Sequence, residues 1–139
     1  MADFVLDASI ALATVLPSDG NDYSDGILLR FNQGESAIVP AIWHLETING
    51  LLVRERRKTI TSNERDEAIK LVRSYPVETD DLSAEPTVID AVLALSIRYQ
   101  LTAYDAAYLE LAKRTGLPIA TQDAAIIQAA KHLGVEQVP

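Results

Sequence analysis

Residues 1–10 read MADFVLDASI. The apolar run Phe4-Val5-Leu6 stops abruptly at Asp7. Two small residues, Ala8 and Ser9, follow. A helical pattern then begins with Ile10, Leu12, Ala13 and Leu16. The stretch describes a buried strand with a carboxylate at its tip and a helix directly behind it. In open α/β sheets, ligands bind at the carboxyl ends of strands. Asp7 is therefore the natural centre of a site.

The rest of the chain repeats the alternation. Strands are expected near 3–6, 36–40, 76–78, 117–121 and 135–138. Helices are expected over 8–16, 22–33, 41–57, 62–74, 85–99, 104–115 and 123–133. Pro17, Gly34, Gly116 and Gly134 act as stops, and Thr61 with Glu64 has the spacing of a capping box. In the 41–57 helix, Ile42, Trp43, Leu45, Ile48, Leu51 and Leu52 make a wide apolar face. In 85–99, Val88, Ile89, Val92, Leu93, Leu95 and Ile97 are expected to point inward. Short strands separated by helices imply a parallel sheet covered on both faces. The predicted fold is α/β, with a central parallel sheet of about five short strands flanked by helices. With 139 residues and no linker or repeat, one domain spanning 1–139 is expected.

Composition narrows the chemistry. The chain has no cysteine, which excludes disulfides, thiolate zinc sites and cysteine nucleophiles. No apolar run reaches the length of a membrane span, and the Met-Ala-Asp start lacks the basic region of a signal peptide. A cytoplasmic protein with no membrane association is expected. Net charge is −8, so the overall field gives no help in binding nucleic acid. Such binding would need local cations or metal ions.

Three further carboxylates join Asp7. Glu46 lies one turn into its helix beside the apolar stripe, with Asn49 and Gly50 three and four residues on. Asp105 opens the 104–115 helix among small residues. Asp123 follows a strand and the Thr121-Gln122 turn. Each alone has an ordinary explanation: a half-exposed helical glutamate, an acid complementing a helix dipole, an N-cap. Together they differ. Strand ends and the starts of the following helices share one edge of a parallel sheet, so all four can meet in one cleft. Converging carboxylates require protons or a cation. Oxygen donors without His or Cys select Mg²⁺ or Mn²⁺, which can polarise a phosphodiester and activate water. Ser9 either bonds a carboxylate or caps the first helix, and Thr121 is either a supporting hydroxyl or a turn residue.

Other features read as structural. His44 and His132 have no metal-like spacing. Trp43, Tyr104 and Tyr108 are read as core packing rather than base-stacking platforms. Glu78, Asp80, Asp81 and Glu85 read as a solvated acidic loop. Arg54, Arg56, Arg57 and Lys58 form the one basic cluster, at a helix C-terminus where cations are favoured anyway.

Three stretches carry a family likeness: FVLDASIAL (4–12), IVPAIWHLETINGLLVRERR (38–57) and LTAYDAAYLELAKRTGLPIATQDAAI (101–126). With these the sequence resembles PIN-domain ribonucleases, specifically the VapC toxins of type II toxin–antitoxin pairs. The resemblance spans nearly the whole chain, with its motifs in family order; residues 59–100 carry no motif. It places the family's acidic quartet on Asp7, Glu46, Asp105 and Asp123, as catalytic metal ligands. Ser9, Asn49 and Thr121 fall on positions that are often polar supports. It implies a PIN-like three-layer fold and a Mg²⁺- or Mn²⁺-dependent endoribonuclease acting on structured RNA such as tRNA or rRNA. It also implies a homodimer and a cognate antitoxin that inserts a peptide into the cleft. Three rivals stand beside it. A haloacid-dehalogenase-like phosphatase would use Asp7 as nucleophile, but Ser9 occupies the place of its usual second Asp. A phosphoacceptor signalling domain would want an adjacent acidic pair after the first strand. An inactive binding module of PIN shape is the third.

Overall fold

The computed structural model describes all 139 residues. Phe4–Leu6 forms β1, with all three side chains buried. A strand buried on both faces belongs in the middle of a covered sheet. β1 pairs in parallel with β2 (Ala37–Val39) on one side and with β4 (Ile119–Ala120) on the other; β3 (Val77–Thr79) lies beyond β2. The order is β3-β2-β1-β4. Four strands form instead of about five. The expected strand at 135–138 shrinks to one parallel bridge between Ile119 and Gln137, held by bonds from Ile119 N to Glu136 O and from Val138 N to Ile119 O. Val138 is buried and Val135 packs on the edge of the core, but Glu136 and Gln137 between them are exposed.

Seven helices flank the sheet: α1 (Ala8–Val15), α2 (Asp22–Asn32), α3 (Ile42–Arg56), α4 (Ser62–Arg73), α5 (Pro86–Tyr99), α6 (Ala103–Thr115) and α7 (Ala124–Leu133). Helices α1 to α4 pack among themselves, and α5 to α7 among themselves, giving the two outer layers. Local signals account for their ends. The Thr61–Glu64 capping box opens α4, and Gly116 and Gly134 close α6 and α7 in the left-handed conformation. Gly50 lets α3 lie close against α1: a Cβ there would crowd Leu12 Cδ1, and that side chain would have to shift. No helix is long and apolar enough to cross a membrane.

Two helices turn differently from the expected faces. In α3 the buried stripe is Trp43, Thr47 and Leu51, while Leu45 is 65% exposed. The wide apolar arc of the sequence exceeds what α1 and α4 cover. In α5 only Val88, Val92 and Leu95 are buried; Ile89, Leu93 and Ile97 are 52%, 58% and 72% exposed. α5 packs against α6 on one side, so its second apolar stripe, at i, i+4 and i+8, faces outward. The acidic loop is also not wholly solvated. Asp80 is buried and ion-paired with Arg114, which also holds buried Glu110.

Candidate active site

The chain runs from β1 through β2 to β3 on one side, then crosses back to place β4 on the other side of β1. The carboxyl ends of β1 and β4 therefore flank a topological switch point, where connections leave in opposite directions and open a crevice. Asp7 sits at the end of β1, and its backbone N–H bonds Ala120 O of β4 at 3.0 Å. Asp123 follows β4. Glu46 comes from the first turns of α3 and Asp105 from the first turn of α6, one from each helical layer.

Asp7 is itself the N-cap of α1, a role open to Ser9 on sequence grounds. Its Oδ1 accepts the Ser9 N–H at 3.2 Å; its Oδ2 accepts the hydroxyls of Ser9 at 2.9 Å and Thr121 at 2.8 Å. Thr121 is fully buried, and its Oγ1 also accepts the Asp123 N–H at 3.1 Å. One hydroxyl thus joins two of the carboxylate-bearing segments. Gln137 Nε2 donates to Thr121 O at 2.7 Å, so the residual C-terminal bridge fixes that turn from behind. Asp123 caps α7 through Oδ1, which accepts the Ile126 N–H at 3.0 Å. Asn49 is exposed and forms no side-chain hydrogen bond.

Tyr108 supplies a contact that the sequence reading missed. Its ring is core, as expected, but its hydroxyl donates to Glu46 Oε1 at 2.6 Å. This bond spans from α6 to α3 and ties the two helical layers together. Asp105 and Tyr108 are three residues apart on one helix face, the only hint available in sequence. Of the other aromatics, Trp43 is buried in the core and Tyr104 is 57% exposed.

The carboxylates feel one another. Burial, first, pushes the Asp7 carboxyl above its ordinary value, with the Asp123 charge adding and the Thr121 and Ser9 bonds opposing. Glu46 is raised by burial and by the charges of Asp7 and Asp105, against the Tyr108 bond. Asp105 is raised by burial, then by Asp123 and Asp7. Burial and the Glu46 charge push the Tyr108 phenol well above its usual range, so it stays a donor. No Lys, Arg or His pairs with any of the four acids. Glu46 Oε2 and Asp123 Oδ2 accept no protein hydrogen bond.

This donor set fits a hard divalent cation. It offers only carboxylate oxygens, it carries uncompensated negative charge, and three of its members hold protons more tightly than usual, as sites awaiting a cation do. No three of the chain's His, Asp and Glu side chains stand close enough to hold a metal ion among themselves, so direct ligation here is by fewer than three of the acids. Mg²⁺ needs only one or two direct carboxylates, because it keeps several waters.

A parallel α/β sheet with uncompensated carboxylates at its switch point defines a class of domains suited to binding a cation there. The PIN domain profile matches residues 4–132, and the chain belongs to the PIN-domain family. PIN domains are generally metal-dependent nucleases. No curated protein matches the sequence significantly. The solved structure titled "Crystal structure of PAE2754 from Pyrobaculum aerophilum" is similar in fold, with a TM-score of 0.73 and 24% identity, over 99% of this chain and 84% of that one.

Proposed function

We propose that this chain is a Mg²⁺- or Mn²⁺-dependent endoribonuclease, the VapC-type toxin of a toxin–antitoxin pair. The observation that supports it best is the convergence of Asp7, Glu46, Asp105 and Asp123 at the β1/β4 switch point without one basic partner.

Asp7 and Asp105 are the first ligands assigned; Glu46 and Asp123 complete the site through water. The cation, when bound, supplies a Lewis acid that offsets charge on the phosphodiester and favours ionisation of water. The chain's own residues prepare the rest. Ser9 and Thr121 hold Asp7 in one rotamer, and Thr121 couples it to the backbone of Asp123. Tyr108 occupies Glu46 Oε1 and leaves Oε2 open. Raised by burial and like charge, Glu46 and Asp105 hold a proton more readily than an ordinary carboxylate does. Water would give up a proton to a free carboxylate oxygen as its oxygen bonds to phosphorus; the P–O3′ bond breaks, and the leaving O3′ takes a proton from solvent, giving a 5′-phosphate and a 3′-hydroxyl.

The resemblance adds structured RNA as substrate, and a cognate antitoxin and a second copy of the chain as partners. The −8 charge suits a basic partner, and the exposed Ile89-Leu93-Ile97 stripe suits burial by a protein surface. The test is cleavage of total RNA followed by sequencing of 5′ ends. Wild type should yield metal-dependent, discrete 5′-phosphate ends that EDTA abolishes and Mn²⁺ restores. Asp7→Asn should yield none. Phosphomonoester hydrolysis with intact RNA would replace this reading with the phosphatase.

A further inference from the structure

We infer that the C-terminal end of α3, Arg56-Arg57-Lys58, is a docking tract for the RNA backbone, placed along the same helix that delivers Glu46 to the active site. The inference rests on the nuclease reading above and adds a second contact region to it.

A chain of net charge −8 needs local cations to hold a polyanion. Most of its basic residues are either neutralised or isolated. Arg30, Arg54, Arg65, Lys70 and Arg114 are ion-paired. Within the basic cluster itself, Arg54 is committed to Asp19, and neighbouring Glu55 is taken up by Arg65. Arg56, Arg57 and Lys58 are exposed, and their side chains form no hydrogen bond or ion pair. They are the sole consecutive free cations. Helix capping does not occupy them, because the final turn is closed by the backbone N–H of Arg57, bonded to Val53 O.

The backbone adds a second observation. Lys58 has φ +61, in the left-handed region where glycine or asparagine is favoured. That conformation closes the helix: the Lys58 N–H bonds Glu55 O at 2.9 Å and the Thr59 N–H bonds Arg54 O at 3.0 Å, so the backbone caps the last turn and the lysine side chain is left free.

The placement fits a strand running from the cleft. Asn49 and Arg56 are both exposed and are seven residues apart, about two turns, so they share one face of α3. Glu46 to Arg56 is roughly 15 Å along the axis. That distance exceeds one nucleotide step even of an extended single strand. The tract can therefore grip a phosphate more than one nucleotide from the cleavage point but cannot reach the reacting one.

The test compares wild type with the triple variant Arg56→Gln/Arg57→Gln/Lys58→Gly. Binding of a fluorescent 30-nucleotide single-stranded RNA is titrated between 50 and 200 mM KCl, with Asp7→Asn in both proteins to prevent cleavage. Three lost phosphate contacts should flatten the slope of log K against log salt by about 2, at roughly 0.7 each. In the active proteins, KM for the 30-mer should rise about tenfold or more with kcat unchanged. Cleavage of a tetranucleotide, too short to span both regions, should be unaffected. Lys58→Gly alone should raise Tm while weakening 30-mer binding. An unchanged slope and KM in the triple variant, with wild type still binding and cleaving RNA, overturns the docking tract alone. Equal losses on the 30-mer and the tetranucleotide also overturn it. A wild type that neither binds nor cleaves either RNA overturns the nuclease reading and the tract with it.

Discussion

Asp7→Asn should make the protein more stable as well as inactive. Removing a buried side chain that accepts three hydrogen bonds would ordinarily be expected to destabilise. Hydrogen bonds to a charged group contribute about 1.5–3 kcal/mol each. Against them stands the desolvation of a carboxylate that is 6% exposed, a cost of several kcal/mol. The raised pKa of Asp7 says which side wins: burial is the leading cause and the folded protein favours the neutral form. The sign follows. A carboxyl raised on folding contributes most below its unfolded value of 3.8 and loses that contribution as pH rises through its folded value. Asp7 therefore costs stability at pH 7.5 relative to acid pH, and a neutral amide of the same shape removes that cost. Each tenfold bias in ionisation corresponds to about 1.4 kcal/mol. The rearranged neutral bonds to Ser9 and Thr121 return part of the gain. We expect a net gain on the order of 1 kcal/mol, or about 3 °C in Tm for a chain this size. The assay is a pair of thermal melts in EDTA at pH 7.5 and near pH 3. The variant should melt higher at pH 7.5 and the gap should close near pH 3. Adding Mn²⁺ should raise the Tm of wild type more than that of the variant. A variant that melts several degrees lower at pH 7.5 would refute the reasoning, because the hydrogen-bond cage would then outweigh burial.

Other outcomes follow from the same geometry. Thr121→Val removes the hydroxyl shared by Asp7 and Asp123; activity should drop about 10–100-fold, with the acidic limb of the pH–rate profile moving up because a bond that lowers the Asp7 pKa is gone. Tyr108→Phe should cost about 1–2 kcal/mol in urea unfolding and raise the Glu46 limb in the same direction. Leu93→Asp with Ile97→Asp should leave the melting temperature of the isolated chain nearly unchanged, since both sites are exposed; if the proposed second copy docks on this stripe, sedimentation should show a dimer for wild type and a monomer for the variant.

Sequence periodicity and stop signals were sufficient for the order of elements. FVLD had to be a central strand because three consecutive apolar residues have no polar face to offer solvent. The glycine stops, the Thr61–Glu64 box and the Asp123 cap are local chemistry and lie where the sequence puts them. The four acids could be grouped from one rule, that strand ends and helix starts share a sheet edge. What the pattern could not settle was which of two apolar stripes on a helix meets a neighbour. Val88 and Ile89 look alike in sequence; one is buried and the other half-exposed, because only one side of α5 meets α6. Asp80 looked like one more loop acid until Arg114, thirty-four residues away, closed on it. The Tyr108–Glu46 bond joins residues sixty-two apart, and the Thr121–Asp7 bond joins residues one hundred and fourteen apart. Strand, cap and turn are written within a few residues of themselves, so the chain alone determined that a carboxylate would stand at the tip of β1. Which hydroxyls hold that carboxylate, how far burial raises it, and which charges go unanswered depend on side chains from opposite layers meeting over the sheet, and only the tertiary structure decided that.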